Sequence, residues 1–270
     1  MTATIPPPLM PSHRPHPFRT SIRTITALIL REMATRYGRS PGGYIWAILE
    51  PAGMVAFLSL GFSLMLRSPP LGTSFLLFYA TGMLPFTYYN TMQKSASRSL
   101  SYSKALLTYP IVTWIDAVLA RIILNGMTGL LVGYIVIGTV LALSDTRATV
   151  EFGPALEAYT MAWMIGVGVG LVNCVLLSFF ALWNTVWSIV TRPMFIVSGV
   201  LFLYEDLPQA AQAVVWWNPV MHVTGLMRTA VYPMYEATYV SRIYVYGISM
   251  TLIALGLLLV ARYHKDVLER

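Results

Sequence analysis

This 270-residue sequence contains little cysteine, little lysine and little charge, and each shortage excludes a class of protein. Its single cysteine, Cys174, excludes a disulfide framework. None of its three lysines follows glycine in the GxxxxGKS/T pattern, so the chain has no phosphate-binding loop. Charged residues make up 11% of the chain, against roughly 25% in soluble domains. A water-soluble domain and this kind of nucleotide-binding site are therefore both excluded.

Clusters that carry chemistry are also missing. The four histidines, His13, His16, His222 and His264, are scattered along the chain, which argues against a metal site. A proton-coupled carrier normally shows several membrane-embedded acids, whereas the apolar runs here enclose essentially Glu50 alone. We predict no catalytic residue, no metal, no cofactor and no nucleic-acid partner on this chain. Any transport driven by nucleotide would need another chain to bind it.

Apolar residues dominate what is present. They make up 56% of the chain, and the mean hydropathy is +0.64. A helix needs about 20 apolar residues to cross the hydrocarbon core, and the long continuous runs argue against transmembrane strands. Six runs qualify: Tyr44–Leu66, Ser74–Met92, Ile122–Leu143, Leu156–Leu182, Thr185–Tyr204 and Ile243–Arg262. We predict an all-α integral membrane protein with six transmembrane helices over 44–262.

The flanking segments predict the orientation. The proline-rich residues 1–18 are expected to be a disordered cytoplasmic tail, and residues 263–270 a second tail. A cleavable signal peptide is not expected, because the first apolar run begins only after 43 residues. Most of the 18 basic residues precede the first span, lie between spans two and three, or follow the sixth. The positive-inside rule then places both termini in the cytoplasm.

Residues 19–43 precede the first span, and their pattern over 19–37 is amphipathic. Ile22, Ile25, Ile29 and Met33 recur at helical spacing. Such a helix lies in the membrane interface with its arginines toward the headgroups. Two interpretations remain open. The helix serves only to orient the chain in the membrane, or it contacts an anionic lipid or a cytoplasmic partner.

Charges inside the predicted spans are functional candidates, because they are costly there. Glu50 precedes Pro51, about 9 Å into span one at ~1.5 Å per residue. Glu50 either forms an ion pair with an interfacial arginine, which is a structural role, or takes part directly in the function of the protein. Arg192 falls within span five and is expected to face a cavity or a carboxylate. Asp116 and Arg121 are expected on a cytoplasmic extension of span three. They lie about 140° apart around a helix, so they are expected to contact other elements rather than each other.

The segment 205–242 contains two apolar pieces, Ala210–Trp217 and Val220–Tyr232, separated by Asn218 and Pro219. Each is too short to span, which indicates re-entrant or interfacial helices and hence a conduit. Aromatic residues are expected mainly at the membrane interfaces, although some offer platforms for sugars along a path. The glycine pairs Gly129/Gly133 and Gly166/Gly170 have the spacing of helix-packing contacts.

Two segments resemble a known family. The run LREMATRYGRSPGGYIWAILEP, residues 30–51, is similar to the amino-terminal signature of ABC-2 type exporter permeases. RPMFIVSGVLF and WNPVMHVTGLMRTAVY resemble their fifth span and re-entrant element. The pattern is nearest to the capsular polysaccharide exporter (KpsM type) branch over most of residues 20–262. The chain departs from it at Gly42, where leucine is usual, and at Gly225, where relatives carry a carboxylate.

The resemblance implies a homodimer with two separate ATP-binding cassette subunits, which hold ATP and magnesium, and a periplasmic coiled-coil partner. The substrate would be a lipid-linked acidic polysaccharide crossing the inner membrane of a Gram-negative cell. The resemblance also implies roles for particular residues of this chain, which are expectations. Phospholipid or substrate headgroups would be received by Arg31, Arg36 and Arg39. The translocation path would include Trp46, Glu50, Trp187, Arg192, Trp216 and Trp217. Coupling to the ATPase would involve Lys94, Arg98 and Lys104 in the loop 93–110.

Three alternatives remain open from the sequence. An exporter permease for O-antigen or teichoic acid shares the superfamily but moves a different glycan. A membrane enzyme acting on lipid-linked sugars would need paired acids or a histidine near the interface. A channel or ion-coupled carrier would transport without an ATPase partner.

Overall fold

The computed structural model describes residues 17–37, 43–109, 111–144 and 149–269. The described residues form ten α-helices and one 3₁₀ turn, with no strand among them, which confirms the predicted all-α class. Residues 1–16 of the predicted tail and residues 38–42 of the predicted interface segment lie outside the described part. The first helix begins at Pro17, within the segment predicted to be disordered.

The ten described helices are numbered from the amino to the carboxyl end of the chain. They are α1 Pro17–Tyr37, α2 Tyr44–Met65, α3 Phe75–Ser97, α4 Ser99–Ser103, α5 Trp114–Leu143, α6 Phe152–Phe179, α7 Trp183–Val197, α8 Gln209–Val215, α9 Pro219–Val231 and α10 Arg242–Glu269. The 3₁₀ turn Tyr204–Asp206 lies between α7 and α8.

Four helices in the described part are long and apolar enough to cross a membrane: α2, α5, α6 and α10. They correspond to predicted spans one, three, four and six. The last of these helices continues to Glu269, so the predicted tail 263–270 is helical over its described residues. The described helix α5 begins at Trp114, ahead of the predicted span, and this start carries Asp116 and Arg121.

Predicted spans two and five differ from the structure. The helix α3 runs past Met92 to Ser97 and includes polar residues such as Gln93 and Lys94. It is buried among α2, α5, α6 and α9, so the surrounding helices, and not lipid, contact most of it. The predicted span Thr185–Tyr204 is not one helix. The helix α7 ends at Val197, and Gly199 adopts a φ of 70°, a left-handed conformation that glycine tolerates without strain.

The helix α6 packs closely between α3 and α10 because glycines remove side chains from both contacts. A Cβ on Gly166 would lie 2.9 Å from the Tyr89 carbonyl oxygen, and one on Gly170 would lie 2.7 Å from that of Gln93. The predicted packing role of this pair is confirmed. Gly129 and Gly133 instead make room for the side chains of Tyr88 and Tyr159.

Side-chain caps explain where two of these helices begin. The Thr113 hydroxyl accepts a hydrogen bond from the Asp116 amide, and the Asp116 carboxylate accepts one from the Thr113 amide. This capping box satisfies amide groups that the first helical turn leaves unpaired. Asn218 caps α9 through the Val220 amide, and Pro219 occupies the first turn, where its missing N–H is harmless.

Candidate functional site

A cavity of about 290 Å³ lies between α2, α3 and α5. It contains two of the residues predicted for a translocation path, Trp46 and Glu50. Both are exposed in the single chain; Trp46 is 56% accessible. The cavity therefore opens at the surface of α2.

The inner wall of this cavity carries several polar side chains among apolar ones. Thr87 and Tyr88 come from α3, Asn125 and Thr128 from α5, and Tyr159 from α6. The Tyr88 hydroxyl donates to the Gly126 carbonyl at 3.0 Å. Hydroxyl, amide and carboxylate groups thus meet in one crevice between helices of the membrane domain.

The predicted headgroup arginines are only partly described. The side chain of Arg31 is exposed on α1, as contact with lipid headgroups requires. The side chain of Arg36 and the whole of Arg39 lie outside the described residues. Their predicted role stays a prediction.

The helix α1 is held against α5 by polar contacts that the sequence pattern does not reveal. Arg121 Nη2 lies 3.2 Å from Glu32 Oε1, and both side chains are largely buried. The Ser21 hydroxyl donates to the Asp116 carboxylate. The expectation that Asp116 and Arg121 contact other elements is confirmed.

Arg121 also links α1 to the segment that follows α3. Its Nη1 donates to the Arg98 carbonyl at 3.0 Å, and its guanidinium lies 4.3 Å from the centroid of the Tyr102 ring. The hydroxyls of Tyr102 and Thr35 lie 2.9 Å apart. A movement of α1 is thus connected mechanically to the segment after α3.

The residues predicted to couple to an ATPase lie around that segment. The side chains of Lys94, Arg98 and Lys104 are all exposed. They accompany the short helix α4, which packs on α5 and α10. Three basic side chains are therefore accessible beside α4, a helix that α5 and α10 hold in place.

The helix α7 carries two further predicted path residues and has no buried residue. Arg192 is exposed on it. The Trp187 ring stacks on Trp183, with centroids 6.2 Å apart, and Trp183 donates to the Asn173 side chain at 2.8 Å. These residues do not line the cavity that contains Trp46 and Glu50.

The predicted path residues Trp216 and Trp217 have different surroundings. Trp217 is 67% exposed. Trp216 is half-buried, packs against the rings of His222 and Tyr244, and donates to the Tyr239 carbonyl at 3.2 Å. Trp216 therefore stabilises this corner of the fold and belongs to a different place from the cavity.

His222 is fully buried and holds the α8–α9 corner to the start of α10. Its Nε2 lies 2.8 Å from the Trp216 carbonyl, and its Nδ1 accepts from the Ser241 amide at 3.2 Å. This pattern requires a neutral ring with its proton on Nε2. Burial lowers the pKa of His222, which favours the same neutral form.

Gly225 packs directly against Tyr239 and Val240. A Cβ there would overlap the Tyr239 hydroxyl and lie 3.1 Å from Val240 Cγ2. The carboxylate that the resemblance places at this position therefore has no room here, since Tyr239 occupies it.

Arg228 is a buried residue that sequence reasoning did not single out. It is fully inaccessible, and its guanidinium donates to the carbonyls of Phe202 and Val200 at 2.9 and 3.3 Å. It also lies 4.3 Å from the centroid of the Phe78 ring. Its position in an apolar re-entrant pattern was the one available signal.

These features define the class of the protein. A bundle of apolar helices contains a crevice lined in part by polar side chains, carries accessible basic side chains beside α4, and shows no metal-ligand cluster among its described residues. These are the features of a helical membrane protein with several spans. Comparison with known proteins identifies which kind.

Residues 23–232 match the ABC-2 type transporter family, and the chain belongs to that family. The predicted class of permease is thereby confirmed, and the chain is a transporter membrane subunit and not an enzyme.

Three relatives cover nearly the whole chain. The Polysialic acid transport protein KpsM of Escherichia coli is 29% identical, over 87% of this chain and 92% of its own length. The Capsule polysaccharide export inner-membrane protein CtrC of Neisseria meningitidis is 30% identical, over 91% and 92%. The Capsule polysaccharide export inner-membrane protein BexB of Haemophilus influenzae is 27% identical, over 91% and 92%.

Proposed function

We propose that this chain is the permease subunit of an ATP-driven exporter that moves lipid-linked capsular polysaccharide across the bacterial inner membrane. One observation carries the proposal. Relatives from three organisms align over 87–91% of the chain, and their names describe transport of polysialic acid or export of capsule polysaccharide. The family match over residues 23–232 includes both motif segments noted in the sequence.

The proposed topology has six crossings with both termini in the cytoplasm. The helices α2, α5, α6 and α10 supply four crossings. The 23-residue helix α3 is about 34 Å long at ~1.5 Å per residue, enough for a fifth. The 15-residue helix α7 completes the set together with the residues after it. The helices α8 and α9 would be the re-entrant pair.

The proposed assembly is a homodimer with α2 and α7 at its centre. Arg192 and Glu50 are exposed in the single chain, and each is the one charged residue of its helix. Charged groups facing lipid are costly. A second copy placed over α2 and α7 would give both groups a polar path. Trp46, Trp187 and Trp217 would offer ring surfaces to sugars.

Energy would come from two ATP-binding cassette subunits beneath the dimer, since this chain lacks a phosphate-binding loop. They would bind ATP and magnesium and contact Lys94, Arg98 and Lys104. The connection of Arg121 to α1 would transmit their movement. A periplasmic coiled-coil partner remains a prediction of the family resemblance.

The assembly is tested by co-purifying the permease with an ATP-binding cassette subunit from the same organism. We expect a stable complex that hydrolyses ATP. Reversing Lys94, Arg98 and Lys104 to glutamate should lower the recovered ATPase at least tenfold, because three accessible charges change sign. Lys265→Glu, a change of the same kind at the exposed end of α10, serves as control. Transport by the purified permease alone would contradict the proposal.

The headgroup role is tested by charge reversal on α1. Arg36→Glu should lower surface polysaccharide at least tenfold, because a carboxylate repels an anionic lipid end where arginine binds it. Surface polysaccharide is measured together with the amount of permease in the membrane. Arg23→Glu, at an exposed position on the same helix, is the matched control. Normal surface polymer in Arg36→Glu would show that the headgroup role is wrong.

A further inference from the structure

The carboxyl-terminal helix α10 is longer than a membrane crossing requires. Its 28 residues extend about 42 Å at ~1.5 Å per residue, against a hydrocarbon core of about 30 Å. The centroid of the Tyr263 ring lies 5.3 Å from that of Phe179, and Phe179 is the last residue of α6. Residues 264–269 of α10 therefore extend beyond the end of α6.

One side of these last two turns of α10 is packed against the protein. Val267 is only 5% exposed, and Leu268 is partly buried against the same apolar core. The His264 ring lies 5.8 Å from that of Trp114, the first residue of α5. Since α6 has already ended at this level, other elements must cover Val267.

The short helix α4 lies at the same end of the bundle and packs on α10. Its residues Ser99, Leu100 and Ser103 are buried. The thiol of Cys174, near the end of α6, contacts the Ser99 side chain and the Leu100 backbone. A helix of five residues does not hold its place alone, because isolated helices shorter than ~12 residues are marginal in water. The position of α4 therefore depends on the elements that pack against it.

We propose that the last two turns of α10 position α4 for its contact with the ATP-binding cassette subunit. Val267 is then a positioning residue, because it is buried and acts through α4. The exposed side chains of Lys94, Arg98 and Lys104 would make the contact itself. This inference rests on the proposed function for the identity of the partner, whereas the support of α4 is a property of the permease alone.

Cys174 reports the position of α4 without any partner protein. It is the one cysteine of the chain, and it is buried beside Ser99 and Leu100, so a loosened α4 exposes its thiol. The rate of its reaction with N-ethylmaleimide is measured by mass spectrometry on the purified permease in phosphatidylcholine nanodiscs, below the Tm of each variant. The same variants are then co-purified with the ATP-binding cassette subunit.

Two substitutions of Val267 weaken the support to different extents. Val267→Asp should raise the labelling rate of Cys174 roughly tenfold and lower the recovered ATPase roughly fivefold, because a carboxylate is costly in an apolar contact and local opening becomes easier. Val267→Ala removes two methyl groups and adds no charge, so it should shift both quantities the same way by roughly threefold. If Val267→Asp does not fold, Val267→Ala decides.

Two controls separate the loss of this support from other effects. Val245→Asp makes the same change at the opposite end of α10, where Val245 is also fully buried, and so tests general destabilisation. Lys265→Asp places a carboxylate on the exposed side of the last turns, and so tests the added charge. Both controls should label at Cys174 and recover ATPase as the parent chain does.

Unchanged labelling of Cys174 in the folded Val267 variants would overturn the inference, and so would an equal rise in Val245→Asp. Faster labelling with full recovery of the ATPase would also overturn it, since α4 would then dock without this support. Failure of the parent chain itself to recover an ATPase would instead contradict the proposed function. In that case the labelling rates would still decide whether α10 holds α4.

Discussion

Arg228→Leu is expected to destabilise the protein by about 3 kcal/mol. The substitution leaves the buried carbonyls of Val200 and Phe202 without their donor, and each unsatisfied group costs about 1–3 kcal/mol. It also removes the contact of the guanidinium with the Phe78 ring. Because these contacts join α9 to the chain after α7 and to α3, the region of α8 and α9 should loosen first.

Thermal unfolding in detergent measures this loss as a fall in Tm of about 6–10 °C. The matched control is Arg242→Leu, which removes an arginine from an ion pair of 3.0 Å whose arginine side chain is 58% exposed. Exposed pairs contribute at most about 1 kcal/mol. Burial of the Arg228 guanidinium carries a desolvation cost, and this cost lowers its pKa. A Tm at or above that of the parent chain would mean that this cost exceeds what its hydrogen bonds return.

Glu32→Gln is expected to uncouple α1 from the membrane domain and to lower surface polysaccharide at least tenfold. The change leaves the Arg121 guanidinium, 11% exposed, without its carboxylate. Breaking one side of a buried ion pair costs about 3–5 kcal/mol. Since Arg121 also contacts Arg98 and Tyr102, the loss should reach the proposed ATPase-docking segment.

Two measurements separate coupling from folding in this variant. Protease cleavage within α1 should become faster, while ATPase subunits still bind through their own contacts. Glu157→Gln, which breaks the exposed pair with Arg242, is the matched control and should leave both properties unchanged. Normal export by Glu32→Gln would contradict a transmitting role for this ion pair.

Local patterns predicted a large part of this structure. Length and apolar composition are enough for α2, α5, α6 and α10, because a membrane span needs about 20 apolar residues wherever its partners lie. The spacing of Gly166 and Gly170 predicted a close helix contact, because residues four apart lie on the same face of a helix. The boundary of span five was not predictable in this way, because the apolar run continues beyond Val197 while the helix does not.

The sequence predicted some of the residues that line the candidate site and missed others. Trp46 and Glu50 drew attention as an aromatic residue and an acid within an apolar run, and both line the cavity. Trp216 is also an aromatic residue within an apolar run, yet its ring packs against His222 and Tyr244 and does not line the cavity. Tyr159 and Thr87 carried no signal, since tyrosine and threonine in a span are ordinary.

The sequence by itself determined that the chain is a helical membrane protein without a GxxxxGKS/T phosphate-binding loop, because hydropathy, helical period and the absence of a motif are local properties. Only the tertiary structure decided which polar groups have partners. Glu32 meets Arg121, Ser21 meets Asp116 across 95 positions, and Arg228 finds carbonyls 26 and 28 positions away. Such contacts depend on how distant helices pack, and no local pattern encodes them.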